Sequence, residues 1–353
     1  MWKTVLGCLL AAVAGVSFIV LQDAQAQGGG KGKAKDKGPE PCERACLEGF
    51  VNQYLDALVA HNPFGLPLAS KVKFSENDQV LDLGDGLWNV TTGFGKYKLI
   101  VADPQSQQVG FLGTVLANDR PTTLALRLKL ENRKISEIET LVTVSNPAGG
   151  PVGPGGATGA AALDALGSPD TVFAQAEGQK NTREQLIASA NAYFDALERG
   201  DAGLALFDPQ CNRIENGVQV TNNPTPAGSG RGGAAANTLD PRALGCAEQI
   251  SSRAFANYQV IYPRRIPVVD EERQAVFGFF MHQQPGDLLQ VESPGKGVYK
   301  FSEAASTPGF VDVAQVFKFV GGRIRRMEAM TTSVPYGTPN PFFGDDWRRT
   351  KQK

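Results

Sequence analysis

The chain has 353 residues, 42% of them aliphatic, aromatic or Cys, and a formal net charge of -1 at pH 7. That length allows two or three domains with true hydrophobic cores. No segment carries a basic stripe, which excludes a nucleic-acid partner held through clustered Lys and Arg.

The first 26 residues read as a signal peptide. Lys3 precedes the uncharged run Val5 to Leu21, and Ala24-Gln25-Ala26 places a cleavage site before Gln27. An uncleaved anchor is the rival reading, because the run approaches the length of a bilayer span. No later segment offers the roughly 20 apolar residues that a membrane helix needs. The expected product is a soluble periplasmic or secreted protein with no membrane contact once the signal is removed. Residues 27–41 are Gly, Lys and Pro with almost nothing to bury, and read as a disordered tether.

Four cysteines remain after Cys8 leaves with the signal: Cys42, Cys46, Cys211 and Cys246. An even number in an exported chain favours disulfides. Cys211–Cys246 is the preferred pair because it closes the Gly-rich insertion between them, which leaves Cys42 with Cys46 at a helix start. Metal binding is the alternative, but the chain has only 2 His and no paired CxxC, so no metal and no cofactor are expected.

The first block, 42–145, opens with an amphipathic helix through Leu47, Phe50, Val51, Tyr54 and Leu58. Strands are expected at Lys98–Ala102, Gly110–Leu116 and Thr122–Leu130, the last with Leu124, Leu126, Leu128 and Leu130 on one face. Gly93-Phe94-Gly95, Asn118-Asp119 and Glu131-Asn132 read as turns. Residues 146–181 are a Gly/Ala/Pro-rich linker with a short helix near Ala160–Leu166. The second block, 182–340, starts with a capping box at Thr182 and Gln185 and a helix through Leu186, Ala190, Tyr193 and Leu197. Its strands are expected at Ala254–Tyr262, Ala275–His282 and Val311–Phe319. Residues 341–353 form a C-terminal tail.

The blocks resemble each other. At a fixed offset, eight of 31 positions from Leu47 to Asn77 match the second block, including Tyr54-x-Asp56-Ala57-Leu58 on Tyr193-x-Asp195-Ala196-Leu197 and Glu76-Asn77 on Glu215-Asn216. Lys134-Ile135-x-x-Ile138-Glu139 likewise falls on Arg323-Ile324-x-x-Met327-Glu328. This implies a domain duplication. Helix followed by an antiparallel meander gives an α+β fold. The expected architecture is two tandem cone-shaped domains, each a curved, mostly antiparallel sheet wrapped on N-terminal helices.

A helix, long strands, a Gly/Asn turn and a closing Lys/Arg-Ile-x-x-Ile/Met-Glu strand resemble the nuclear transport factor 2-like superfamily of cystatin-like α+β cones. Ketosteroid isomerase, scytalone dehydratase and SnoaL-like polyketide cyclases belong to it. The second block also resembles an uncharacterised family of secreted fungal and bacterial proteins, through Cys211-Asn-Arg-Ile-Glu-Asn-Gly217, the stretch at Gly245-Cys246 and Arg264-Arg265-Ile-Pro-Val-Val-Asp270. The resemblance implies a conical pocket that some relatives use for acid–base chemistry and others only for binding.

Candidate chemistry concentrates in the second block. Arg213 and Glu215, two apart just after a short strand, face one side; Arg213 suits an enolate or carboxylate oxygen and Glu215 a base. Their bland reading is an Asn-Gly turn. His282, at the end of an apolar strand, can serve as general base near neutral pH, with Gly278 leaving room for a ligand beside it. Tyr193, Arg265, Asp270 and Glu328 are the candidate ligand contacts. Against them stand core packing for Tyr193, a charged turn at Asp270 and a fold role for Glu139 and Glu328, whose spacing implies a β-bulge. No phosphate-binding loop, G-x-S-x-G elbow or H-E-x-x-H occurs.

Two functions follow. One is a cofactor-free pocket protein holding a small organic ligand, using lyase, dehydratase or isomerase chemistry if it is an enzyme. The other is a non-catalytic binding or interaction module. An intramolecular pseudo-dimer through the two sheets is expected, with homo-oligomers open.

Overall fold

Leu47, Phe50, Val51, Tyr54 and Leu58 recur at helical spacing, and they form the buried stripe of α1, Arg44–Val59. Further on, the Thr182–Gln185 capping box closes in both directions at the start of α3, and Gly200 ends that helix in the left-handed region at φ 64°. A computed structural model describes residues 40–144, 159–176, 178, 180–224, 238–293 and 295–344. The signal peptide, the tether up to residue 39, linker residues 145–158 and tail residues 345–353 lie outside the described residues, as do 225–237 of the insertion.

The first sheet contains β1 Leu68–Glu76, β2 Gln79–Val80, β3 Thr91–Asp103, β4 Gln108–Ala117, β5 Arg120–Glu131 and β6 Lys134–Val144, in the order β2-β1-β6-β5-β4-β3. After α2 (Gly159–Ala165) and α3 (Arg183–Arg199) come β7 Phe207–Glu215 and β8 Val218–Gln219. Then follow α4 Cys246–Ser251, β9 Val260–Asp270 and β10 Ala275–Gln284. A small hairpin, β11 Gln290–Ser293 and β12 Gly297–Lys300, precedes β13 Gly309–Val320 and β14 Arg323–Val334. The second sheet runs β8-β7-β14-β13-β10-β9, the same order element for element. In each sheet the first long strand pairs in parallel with the last, and the remaining pairs are antiparallel. The fold is α+β with two sheets, each packed on its own helix. The extra length of the second half lies in the insertion before α4 and in the β11–β12 hairpin.

Alternation along the strands sorts side chains onto two faces. The inner face of the first sheet sets Phe74, Phe111, Leu124, Leu126 and Leu128 against Leu47, Val51 and Tyr54 of α1. Its counterpart in the second sheet sets Val276, Phe280, Val313, Phe317 and Met327 against Leu186, Tyr193, Phe194 and Leu197 of α3. The outer faces meet each other: Leu99, Val101, Leu112, Ala125 and Leu141 share a core with Val268, Phe277, Phe279, Ala314, Val316 and Met330. The sheets approach closely at Gly110, where an added Cβ would sit 2.3 Å from Phe277 Cδ1.

Reciprocal ion pairs frame this contact. Arg44, opening α1, forks onto Asp270 at the end of β9, with distances of 2.9 and 2.5 Å. Arg183, opening α3, reaches Asp103 at the end of β3 at 2.6 Å. Each aspartate also accepts a backbone N–H from the opposite half, Ala102 to Asp270 and Val269 to Asp103. The end of the chain crosses over as well. Asn340 donates to Asp78 at 2.9 Å, the Lys73 ammonium donates to the Pro341 carbonyl, and the Phe342 ring lies 4.7 Å from both Lys73 and Arg127.

Several expectations need correction. Gly93-Phe94-Gly95 is not a turn but part of β3, where pairing with β4 shifts register between Phe94 and Lys98. No strand starts at Ala254: residues 252–257 form turns and β9 begins at Val260. The inferred bulges are real, but they lie three residues before each glutamate, at Ser136 and Arg325, where partners Lys129/Leu130 and Lys318/Phe319 slip by one. Both disulfides are present, Cys211–Cys246 and Cys42–Cys46.

The Arg44–Asp270 pair generates a stability prediction. Arg44→Met leaves the fully buried Asp270 carboxylate without its main counter-charge and should lower unfolding free energy by about 3 kcal/mol. Adding Asp270→Asn should recover part of that loss in urea titrations. Equal stability of Arg44→Met and wild type would contradict the role assigned to the pair.

Candidate functional site

Pairing register places the three candidate catalytic residues on one face. His282 sits opposite Val311, and Gly278 opposite Gln315. Gln315 in turn faces Ala329, which faces Glu215, while Met327 faces Arg213. Arg213, Glu215, Gln315 and His282 therefore all project from the inner face toward α3. Arg213 and Glu215 belong to β7 itself, not to a loop after it, and His282 lies within β10 and is 5% exposed.

The buried Arg213 guanidinium bonds Glu215 through Nη2 at 2.7 Å and lies 4.6 Å from the Phe255 ring centroid. Tyr193 of α3 reaches in beside Arg213 and Gln315, and burial pushes its phenol upward. His282 packs edge-on to Tyr258 at 4.9 Å and to Phe194 at 6.0 Å. Burial first, then the charges of Arg213 and Arg264, push the His282 imidazole down to about 3. The ring is thus neutral throughout the physiological range, and the sequence-based expectation of a base poised near neutrality does not hold for this environment.

Among the described residues, three buried nitrogens on this face lack a hydrogen bond of good geometry, Arg213 Nε, Gln315 Nε2 and His282 Nε2, and the Tyr193 hydroxyl is the polar group that interacts with Arg213 and Gln315. Each such group costs about 1–3 kcal/mol if nothing satisfies it. Gln315 escaped the sequence reading, being one amide inside an apolar strand; its signal was that the matching position of the first half is Leu126.

That comparison extends around the face. By pairing register, Arg213 corresponds to Phe74, His282 to Val115 and Gln315 to Leu126. Phe74, Val115 and Leu126 lie in the apolar core of the first half. Glu76, matching Glu215, instead accepts the Leu87 N–H at 3.0 Å, and burial pushes its carboxyl upward. Asn77 and Asn216 take the same structural part, accepting the backbone N–H of Val142 and of Thr331.

The remaining candidate contacts lie elsewhere. Asp270, Arg265 and Glu328 sit on the outer face, where they join the halves. Asp270 holds Arg44, Arg265 donates to Glu139 at 2.5 Å, and Glu328 accepts from Tyr97 at 2.5 Å and from Arg326 at 3.0 Å. None of these three stands on the face of His282. The space at Gly278 is also taken: an added Cβ would lie 2.2 Å from the Arg265 carbonyl oxygen and 2.7 Å from Phe280. Cys42, Cys46, Cys211 and Cys246 are all bridged, and among the described residues no cluster of His, Cys, Asp and Glu suits a metal ion. No helix among those residues is long and apolar enough to cross a membrane.

Residues 179–331 match a family model described as a domain of unknown function (DUF8021), which covers less than half of the chain and includes every polar residue of the inner face. No curated protein matches. Among solved structures, a de novo designed protein with a curved β-sheet is 15% identical, with a TM-score of 0.25, covering 29% of this chain and 88% of its own. A protein of unknown function with a cystatin-like fold from Methylobium petroleophilum PM1 is 11% identical, with a TM-score of 0.26 and coverage of 33% and 84%. A protein assigned as a SnoaL-like polyketide cyclase from Jannaschia sp. CCS1 is 14% identical, with a TM-score of 0.21 and coverage of 44% and 91%. Similarities this distant carry no argument about activity.

The depressed His282 pKa has a thermodynamic consequence. The unfolded chain binds a proton near pH 6.5 that the folded chain refuses until about pH 3, so His282 removes stability as pH falls through that window. The slope is about 1.4 kcal/mol per pH unit for one proton. Thermal unfolding of His282→Val should therefore be flatter between pH 6 and 4 than that of wild type, whereas parallel curves would show a solvated, ordinarily titrating histidine.

Proposed function

We propose that the second half holds a small organic molecule bearing a carbonyl or carboxylate oxygen, seated on the inner face beside Arg213, Gln315, Tyr193 and His282. The observation that carries this reading is a set of three buried nitrogens that lack a hydrogen bond of good geometry among the described residues, grouped with the Tyr193 hydroxyl. At least two are obligate donors, and they stand where the first half has Phe, Leu and Val. A frame that folds with an apolar lining has no structural need for these groups, and an oxygen-bearing ligand would satisfy them together.

Binding is favoured over turnover because a neutral His282 is a weak proton acceptor. Acid–base catalysis is the second reading, and the Arg213–Glu215 contact supports it. Glu215 would then be the base, with Arg213, Tyr193 and neutral His282 donating to a developing oxyanion. The same reading makes the chain a tandem duplication of a nuclear transport factor 2-like module, each outer sheet face serving the other as a homodimer partner would. It also places the mature protein outside the cytosol, which the two disulfides support.

The test exchanges linings. Arg213→Phe, Gln315→Leu and His282→Val together give the second half the inner residues of the first. A thermal-shift and calorimetric screen of ketones and carboxylic acids should find ligands for wild type that the triple variant fails to bind while remaining folded. Retained binding by the folded triple variant, or a wild-type crystal structure with only water at these nitrogens and no ligand from the screen, would reject the proposal.

A further inference from the structure

A cavity of about 500 Å³ opens away from the inner face, between linker residues 171–176 and the outer side of β7, β13 and β14. Its size falls in the usual range for small-ligand sites. Lys318, Arg325, Arg326, Gln210, Asn212 and Gln274 line it opposite the linker, Thr171 and Gln175 add polar groups from the linker, and no carboxylate is among the lining residues. The walls are fixed. Gln274 donates to the carbonyls of Asn181 and Glu271 and accepts from the Asn181 N–H, and Ala176 N–H donates to Glu272. Lys318, 4% exposed, donates to the carbonyls of Ala174 and Arg273, which leaves one ammonium N–H. Burial pushes that amine down to about 8.

The two arginines are held but not used up. Arg326 bonds Glu328 through Nε, which leaves its terminal nitrogens, and Arg325 meets Asp208 and Gln210 through Nε and Nη1. The first half gives an internal precedent. On its outer face Lys73, which matches Asn212, donates to the Pro341 carbonyl, and Lys129, which matches Lys318, pairs with Glu131 and Glu137. That patch is thus satisfied by oxygen acceptors from within the chain, while the second-half patch is roofed by the linker with space beneath.

We propose that this cavity binds an organic anion with several oxygen acceptors, a carboxylate or phosphate group lying between Lys318 and the two arginines and hydroxyls meeting Gln210 and Asn212. The oxygens of the Gln210 and Asn212 carboxamides already accept from Arg325, Gln219 and Asn222, so their remaining N–H groups meet hydroxyl oxygens, and the guanidinium groups suit a planar or tetrahedral oxyanion. The site is independent of the inner face.

Isothermal titration of the full chain with galacturonate, glucose 6-phosphate and uncharged glucose tests it. At least one anion should bind saturably and glucose should not; which anion binds separates carboxylate from phosphate recognition. Arg325→Gln and Asn212→Leu, both at accessible positions, should each weaken binding several-fold, and Lys318→Met should weaken it tenfold or more. The inner-face triple variant should bind the anion as wild type does, so failure here is distinguishable from failure of the pocket proposed above. Absence of saturation by either anion at concentrations on the order of 10 mM, equal binding of glucose, or undiminished binding by all three variants would overturn the proposal.

Discussion

Desolvation of the two outer sheet faces against each other is the constraint from which the rest of the molecule follows. Once Leu99, Val101 and Leu141 are buried on Val268, Phe277 and Val316, each sheet has only one face left to a helix, and α1 and α3 must cover it. The exchange of Arg44 for Asp270 and Arg183 for Asp103 fixes how the faces register. Buried ion pairs of this kind add less net stability than apolar residues of equal volume would, but removing one partner is costly, so they discriminate against misaligned packing. Gly110 has a complementary part: only a residue without a side chain allows Phe277 to lie flush with β4.

Within that shared frame the halves diverge on the inner face. The first is lined by Phe74, Phe111, Leu124 and Leu126, an ordinary close-packed core. The second gives up part of that packing for Arg213, Gln315 and His282. The loss falls on one face of one sheet, on β7, β13 and β10, and it coincides with Tyr193, whose counterpart Tyr54 instead packs on Trp88 at 5.0 Å. Side by side in one chain, the two halves show the same frame carrying an apolar lining at Phe74, Val115 and Leu126 and a polar one at Arg213, His282 and Gln315.

Much of this architecture was legible because period and spacing are local properties. The helical stripe of α1, the Leu124–Leu130 alternation and the repeated Tyr-x-Asp-Ala-Leu each follow from side-chain geometry over a few residues. Which sheet face meets the helix is not local. Alternation shows that Glu328 and Asp270 lie on one face or the other, but the bulge at Arg325 in β14 and the register shifts of β9 against β10 change parity within a strand, so spacing alone does not tell which face. The state of His282 was equally hidden, since its pKa is set by burial and by arginines 18 and 69 positions away in sequence. Gln315 became visible only by setting the two halves against each other.

The crossing of residues 340–342 onto β1 and β5 has an implication for biogenesis. A domain assembled early in translation would normally be complete once its own strands have left the ribosome. Here the outer surface of the first half gains its cover from Asn340, Pro341 and Phe342, which are synthesised after every strand of both sheets. The amino-terminal module therefore keeps that surface uncovered until the second half has been made.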